Sequence, residues 1–414
     1  MLKYVMLLLF FNSALANEFD YRFSYDGFFS FESYQHEDSI INPYNEILQL
    51  PDYKLIFDQR PDLKLLINDG KIIIRPYLSY TQQKYKTTLT NKNETQTETK
   101  VNLSDFFYEQ ILNQKMFFTI GLQSYSWGPA ELLNPSNPFF HFSSEQRSFG
   151  FKEKGQILAR INWNTTKEHS FVAIVEPLSN LEKNWIYKEE FKEQFVFKFE
   201  KEFKNSRHLF GLVAGVPNDA DYFIGQYGQY EFFDGATIYF DSKQSKNKIY
   251  IKPELINQLY RLNKVKADVD LSQLTIFGLR YEDSFDIRLE YVYNSLGYSE
   301  SEFNDAIISM RQISIYQSDN LKSYQNTGLE LISKNYLYFS VRKSDFLQFK
   351  DLNFFIRSLN SIMDYSAVDQ IELDKTFGDH TTVFGQIAIF RGNADSEFKL
   401  ANDYKGTFGL KVSY

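Results

Sequence analysis

The chain contains no cysteine. That excludes a disulfide framework, thiolate metal centres and a lipid-modified cysteine behind an export signal. Histidine is scarce, and His36, His141, His169, His208 and His380 show none of the spacings that hold zinc on one helix face. Neither a Gly-x-Ser-x-Gly elbow nor a glycine-rich phosphate loop occurs, so no enzyme class is indicated and no cofactor or metal is expected. The 45 Lys and Arg are outnumbered by 53 Asp and Glu, and a formal net charge of −8 argues against nucleic acid as a partner. Long apolar runs are missing as well. Beyond Asn17 no stretch approaches the roughly 20 apolar residues a helix needs to cross a bilayer.

Aromatic residues are abundant. The 414 residues include 41 Phe and 29 Tyr, and 18% of the chain is aromatic, yet the mean hydropathy is only −0.40. A membrane-spanning β-barrel reconciles the two, because it carries an apolar band with aromatic girdles outside and a polar face inside. The amino terminus fits export. Lys3, the apolar run Tyr4 to Phe11 and the small-x-small triplet Ala14-Leu15-Ala16 read as a signal peptide over 1–16, leaving a mature chain from Asn17.

Period-2 alternation recurs through 17–414, which reads as one domain. Over 285–294, Phe285, Ile287, Leu289, Tyr291 and Tyr293 share one face, while Asp286, Arg288, Glu290 and Asn294 share the other. The same pattern places Phe195, Phe197 and Phe199 opposite Lys198, Glu200 and Glu202. The pattern predicts an all-β, antiparallel up-and-down transmembrane barrel of about 16 to 18 strands, best 18, among them 115–127, 150–163 and 328–345. Every second connection is short and several carry turn residues, such as Asn68-Asp69-Gly70 and Gly378-Asp379. The long connections, near 33–51, 128–149, 243–270 and 297–327, all fall on the other side and read as outer loops. Segment 86–100, rich in Thr, Asn and Lys, reads as a mobile outer loop. An even strand count puts both termini in the periplasm.

Charge follows the alternation. Arg22, Arg60, Arg75, Arg160, Arg280, Arg288, Arg342 and Arg357, eight of thirteen arginines, fall on the polar phase, together with carboxylates such as Glu290 and Glu372. An inward charge meets water, whereas an arginine on the lipid face at the midplane costs about 2–4 kcal/mol. These residues are expected to form a charge ladder in the lumen, or to serve only as the hydrophilic lining a wet lumen requires.

The chain ends on an alternating strand in which Phe408, Leu410, Val412 and Tyr414 share a face. A strand closing on a terminal aromatic resembles the assembly signal of bacterial outer-membrane barrels, which implies recognition by the barrel assembly machinery. The densest motif runs from Gly121-Leu122-Gln123 through Tyr125 and Trp127-Gly128 to Asn134-Pro135-Ser136-Asn137-Pro138-Phe139. With the preceding Asp105-Phe106-Phe107-Tyr108-Glu109, it resembles the porin-like families that include alginate-export channels, over about residues 50–140. The resemblance implies an outer-membrane channel for passive diffusion of small polar or anionic solutes, set in outer-membrane lipid, with a homotrimer as one arrangement it allows. The alternative is a surface interaction or adhesion protein that uses the barrel as an anchor.

Physically, Gly128 permits a sharp turn and the Asn-Pro steps hold extended backbone. A stiff loop carrying Leu132, Leu133, Phe139, Phe140 and Phe142 has reason to fold inward rather than stand in water. The expected constriction comprises Gln123, Tyr125 and Trp127 at its wall contact, with Glu131, Asn134, Asn137, Glu145 and Arg147 facing the lumen. Arg75, Arg160 and Arg288 are expected to oppose them across the gap.

Overall fold

The computed structural model describes residues 19–39, 42–46, 49–87, 93–139, 155–176, 193–203, 207–217, 220–256, 259–267, 270–314 and 331–414. Alternating sequence becomes strand almost throughout. The strands are β1 (Phe19–His36), β2 (Pro51–Ile67), β3 (Gly70–Lys86), β4 (Asn93–Asn113), β5 (Met116–Gln123), β6 (Gln156–Asn164) and β7 (His169–Val175). Next come β8 (Glu193–Glu202), β9 (Leu209–Pro217), β10 (Tyr222–Phe233), β11 (Ala236–Lys246), β12 (Ile249–Ile256) and β13 (Leu259–Lys266). The chain ends with β14 (Leu271–Glu282), β15 (Asp286–Asn294), β16 (Asn335–Lys343), β17 (Leu352–Ser361), β18 (Ala367–Phe377), β19 (Thr381–Arg391) and β20 (Asn402–Ser413).

Eighteen of these strands form one antiparallel sheet, each paired with its sequence neighbours, and β12 and β13 stand apart as a separate hairpin. The sheet closes on itself, because β1 pairs with β2 on one edge (Phe29↔Phe57) and with β20 on the other (Phe29↔Leu410). Closure leaves no unpaired strand edge, the condition for backbone to cross hydrocarbon. No helix among the described residues is long and apolar enough to cross a membrane.

The pleat sorts side chains in the expected manner. Phe29, Phe57, Ile120, Phe197, Leu212, Phe277, Leu337, Ile371 and Phe408 stand exposed on the outside, forming an apolar belt. Tyr80, Tyr222, Tyr293 and Tyr404 mark one rim of the belt; Trp163, Tyr230, Phe233, Tyr281, Phe377 and Tyr414 mark the other. Amphipathic aromatics settle at both membrane interfaces. The short turns follow their residues too, with Asn68 holding the left-handed backbone of the β2–β3 turn at φ 48°.

Three expectations change. Residues 93–100, read as loop, extend β4, paired out to Lys86↔Asn93; their Thr-rich alternation suits a strand standing in water. β5 ends at Gln123 rather than Trp127, and β6 and β16 start later than read, at Gln156 and Asn335. The 243–270 connection contains the β12–β13 hairpin, and the 297–327 connection starts with helix α1 (Glu300–Ser314), which lies against that hairpin. The signal for α1 is present in the sequence as a capping box. Ser299 N–H donates to Glu302 Oε2 at 2.9 Å, and Glu302 N–H to Ser299 Oγ at 3.4 Å. Residues 1–16, read as a signal peptide, lie outside the described residues.

Candidate functional site, the loop inside the barrel

The segment that follows β5 lies inside the barrel. Its exit is held at Gln123, whose amide donates to the Leu158 carbonyl at 3.0 Å, and at Ser124, whose N–H donates to Asp105 Oδ1 at 3.2 Å. Tyr125 and Trp127 then lie against the inner wall, with rings 5.5 Å apart, and Trp127 meets Phe139 edge-on at 6.3 Å. The wall beneath them is apolar. Leu158, Val172, Ile174, Val196, Val213, Phe223 and Tyr227, all on the inward phase of β6–β10, form one buried cluster with Trp127 and Phe139.

Gly128, at φ 97°, turns the chain across the lumen, and a Cβ there would fall 2.2 Å from Asp241 Oδ2. At Gly225 on β10 the absence of a side chain brings Ser136 close, since a Cβ would lie 3.0 Å from the Ser136 Cβ. Farther round, Ala130, Leu132 and Leu133 pack into a second cluster with Tyr239, Leu274, Ile276, Val292, Tyr336, Tyr338, Leu359 and Val368. One loop therefore covers the inner wall from β6 to β18.

Three buried carboxylates fasten it. Asp241 on β11 accepts the Ser136 N–H at 2.6 Å and its hydroxyl at 3.1 Å. Glu290 on β15 accepts the N–H groups of Glu131 and Leu132, at 2.6 and 3.0 Å, and the Tyr239 hydroxyl at 2.7 Å. The third belongs to the loop. Glu131 pairs with Arg288 at 2.9 Å and Arg342 at 3.0 Å, and accepts the Tyr338 hydroxyl at 2.9 Å. All three are hydrogen-bond acceptors inside the barrel with almost no exposure. They satisfy loop donors that water cannot reach. The loop's own amides complete the fold, with Asn137 Nδ2 donating to the Tyr125 carbonyl at 3.3 Å and Gln156 Nε2 to that of Phe139 at 2.7 Å.

The rest of the inner wall is charged. Arg60 pairs with Asp58 at 2.9 Å, Arg75 with Asp62 at 2.7 Å, Lys405 with Glu32 at 3.0 Å and Lys411 with Asp26 at 3.2 Å. Arg280 pairs with Asp286 at 2.9 Å, and Arg22 is exposed on the inward phase near the barrel end that carries the short turns. Arg160 stacks on Tyr125, its guanidinium carbon 3.9 Å from the ring centroid, and donates to Thr119 Oγ1 at 3.3 Å. Arg357 and Glu372 are buried on the inward phase of β17 and β18.

Two expectations about this site are corrected. Glu131, Asn134 and Asn137, read as lumen-facing, are 2%, 5% and 0% exposed. A stiff loop on an apolar wall must satisfy its polar groups locally, so these residues tie the loop down. Arg288 does not oppose Glu131 across a gap but bonds to it, Arg160 lies on the loop's own Tyr125, and Arg75 is held by Asp62 and Asp105. Glu145, Arg147, Phe140 and Phe142 lie outside the described residues. Sequence reasoning missed Asp241 and the loop-holding role of Glu290. No local signal marks them, since Asp241 shares its inward row with Thr237, Lys243 and Ser245, and Glu290 shares its row with Asp286, Arg288 and Asn294.

No family model and no curated protein matches the chain. Solved structures do. OccAB1 of Acinetobacter baumannii aligns at 8% identity over 96% of both chains, with a TM-score of 0.54. OccK7 (OpdD) of Pseudomonas aeruginosa aligns at 7% identity over 95% of this chain and 99% of its own, at 0.52. Both belong to the bacterial outer-membrane porins. At such low identity the likeness establishes architecture, and the chain has the barrel fold of bacterial outer-membrane porins.

Proposed function

We propose that this chain is a passive outer-membrane channel for small polar solutes, with both ends in the periplasm, and that residues 124–139 set its narrowest point. A barrel of 16 to 18 strands is too wide for side chains alone to fill and leaves an aqueous lumen. That width favours a channel over an adhesion anchor, for which about eight strands suffice. The observation that carries the reading is the inward loop, fastened by Asp241, Glu290 and Glu131 across the inner wall. A loop so held reduces the open cross-section without moving.

The test is single-channel recording of the purified full chain in a planar bilayer. Stepwise openings are expected, and replacing 130–138 by a short Gly-Ser bridge should raise their conductance. Faster gel migration before boiling than after checks that the variant has folded. A folded variant with unchanged conductance would remove the loop from the constriction.

The outward row Phe408, Leu410, Val412 and Tyr414 is proposed as the assembly signal. Tyr414 is 72% exposed at the barrel seam, where its N–H donates to the Tyr25 carbonyl at 2.9 Å. The ladder is thus made by backbone, and Tyr414→Ala should lower the folded outer-membrane fraction without affecting export. Equal membrane levels would refute that role.

A further inference from the structure

The barrel rim that carries the short turns sorts its charge by sign. On the outward phase of its strands, the charged residues among those described are Lys201 on β8, Lys343 on β16 and Lys375 on β18. No aspartate or glutamate shares that phase. Each ammonium lies over an outward aromatic ring, Phe203 at 4.7 Å, Phe285 at 4.9 Å and Phe377 at 5.9 Å. Among the described residues none of the three has an ion-pair partner. The acids near Lys343 and Lys375 lie elsewhere. Asp283, Asp345, Asp351 and Asp379 stand in the turns beyond the rim, while Glu282, Asp286, Glu372 and Asp374 are on the inward phase.

The β16–β17 turn, residues 344–351, is folded against this outward face. Phe346 stacks on Phe354 with ring centroids 4.8 Å apart, and Phe354 is the outward residue paired with Lys343. The turn is thereby laid toward the lipid side, with Leu347 67% and Phe349 60% exposed. It is a costly way to join two strands. Asp345, Leu347, Gln348 and Asp351 all hold left-handed backbone, at φ 50°, 54°, 65° and 59°. Other short turns place Asn68 or Gly378 at such positions, and a leucine there is strained. The turn is held by the ring stack, by Asp345 Oδ1 accepting the Asp351 N–H at 2.7 Å, and by Lys375 Nζ donating to the Lys350 carbonyl. On the other flank Lys343 Nζ donates to the Ser284 carbonyl at 2.6 Å.

Two lysines, one on each side of β17, thus bracket two exposed apolar side chains. At the usual strand spacing β16 and β18 stand roughly 10 Å apart, within reach of one phosphate for two flexible lysine side chains. Each ammonium has three donors and spends one on a carbonyl. Unmatched cations at a membrane rim attract anionic headgroups, and apolar side chains beside them suit acyl chains.

We propose that this sector of the rim, β16–β18 with the β16–β17 turn, binds the phosphate headgroup of an anionic phospholipid. Lys343 and Lys375 hold the phosphate, and Leu347 and Phe349 lie along the acyl chains. The site faces the membrane and is independent of what passes through the lumen.

The test is native mass spectrometry of the full chain in detergent, titrated with phosphatidylglycerol or with phosphatidylcholine of the same acyl chains. Preferential retention of phosphatidylglycerol is expected. The double variant Lys343→Gln, Lys375→Gln, checked for folding by heat-modifiable migration, should weaken that binding about fivefold per lysine, about thirtyfold in all. Lys201→Gln, six strands round the barrel from β16, should leave it within about twofold. Equal retention of the two lipids by the parent would overturn the inference without recourse to any variant. So would a folded double variant that binds like the parent, or an equal loss in Lys201→Gln, which would mean diffuse rim charge. A lipid-free dimer abolished by the double variant would assign the surface to a second copy and overturn it too. Single-channel conductance tests the channel reading separately, so either can fail without the other.

Discussion

Two arcs of the inner wall face the same lumen and are built differently. From β6 to β15 the loop buries an apolar patch of inward side chains, Leu158, Val172, Ile174, Val196, Val213, Phe223 and Tyr227, and two of the carboxylates on this arc, Asp241 and Glu290, are 0% exposed. Along β20 and β1–β4 the inward side chains include ion pairs that stay partly in water, among them Arg75–Asp62, each 33% exposed, and Lys411–Asp26, 27% and 39% exposed. The first arc resembles a protein core and the second a protein surface. Electrostatics follows from that difference. A buried charge that loses its partner is left in a poor solvent, while a wet ion pair is screened and contributes about 0–1 kcal/mol.

The largest expected effect lies at the seam between the arcs. Glu131→Ala leaves Arg288, Arg342 and the Tyr338 hydroxyl without their shared acceptor, a loss on the order of 3 kcal/mol. Thermal unfolding in detergent should show the destabilisation. Bilayer recordings should show a shift toward anion selectivity as the arginines are released, and an unshifted reversal potential would place them outside the ion path.

A second effect concerns acid and base. Glu397, in the outer connection between β19 and β20, is buried, and burial raises its pKa to about 7, with Asp364 adding to the rise and the hydroxyls of Ser333 and Tyr336 opposing it. The folded connection therefore holds the proton more tightly than the unfolded chain does. Its stabilisation is full below about pH 4.5 and is lost as pH rises through about 7, to a limit of about 3 kcal/mol. Protection of 392–401 in hydrogen exchange should accordingly weaken from pH 5 to pH 8. Glu397→Gln should flatten that profile, and an equal slope in the variant would assign the pH dependence elsewhere.

Asp241→Asn sharpens the comparison within the covered arc. The amide keeps the shape but supplies one acceptor oxygen where Ser136 uses two, at a cost of about 1–2 kcal/mol. Faster hydrogen exchange at 134–139 with noisier open-channel current is the expected outcome; identical exchange would mean packing alone holds the loop.

The smallest effect belongs to the wet arc. Lys411→Ala removes a hydrated pair with Asp26 and should change stability by less than about 1 kcal/mol, while moving selectivity slightly toward cations. A loss as large as that of Glu131→Ala would erase the distinction between the arcs.

The eighteen barrel strands were legible because period-2 alternation is a local property, written wherever water lies on one side and lipid on the other. The short turns were legible from residues such as Asn68 and Gly378 that accept positive φ. Even the inward course of the loop was readable from Leu132, Leu133 and Phe139, which have no place in water. Which groups would hold it was not. Glu131 and Glu290 are 159 positions apart, and Ser136 and Asp241 are 105 apart, so no spacing along the chain announces their meeting. Barrel closure brings β5, β11 and β15 around one lumen. Only there does a carboxylate that looks like wet lining become the buried acceptor of a backbone N–H. Alternation fixed which face each side chain takes; which of the inward charges stay in water was decided by where the loop came to rest.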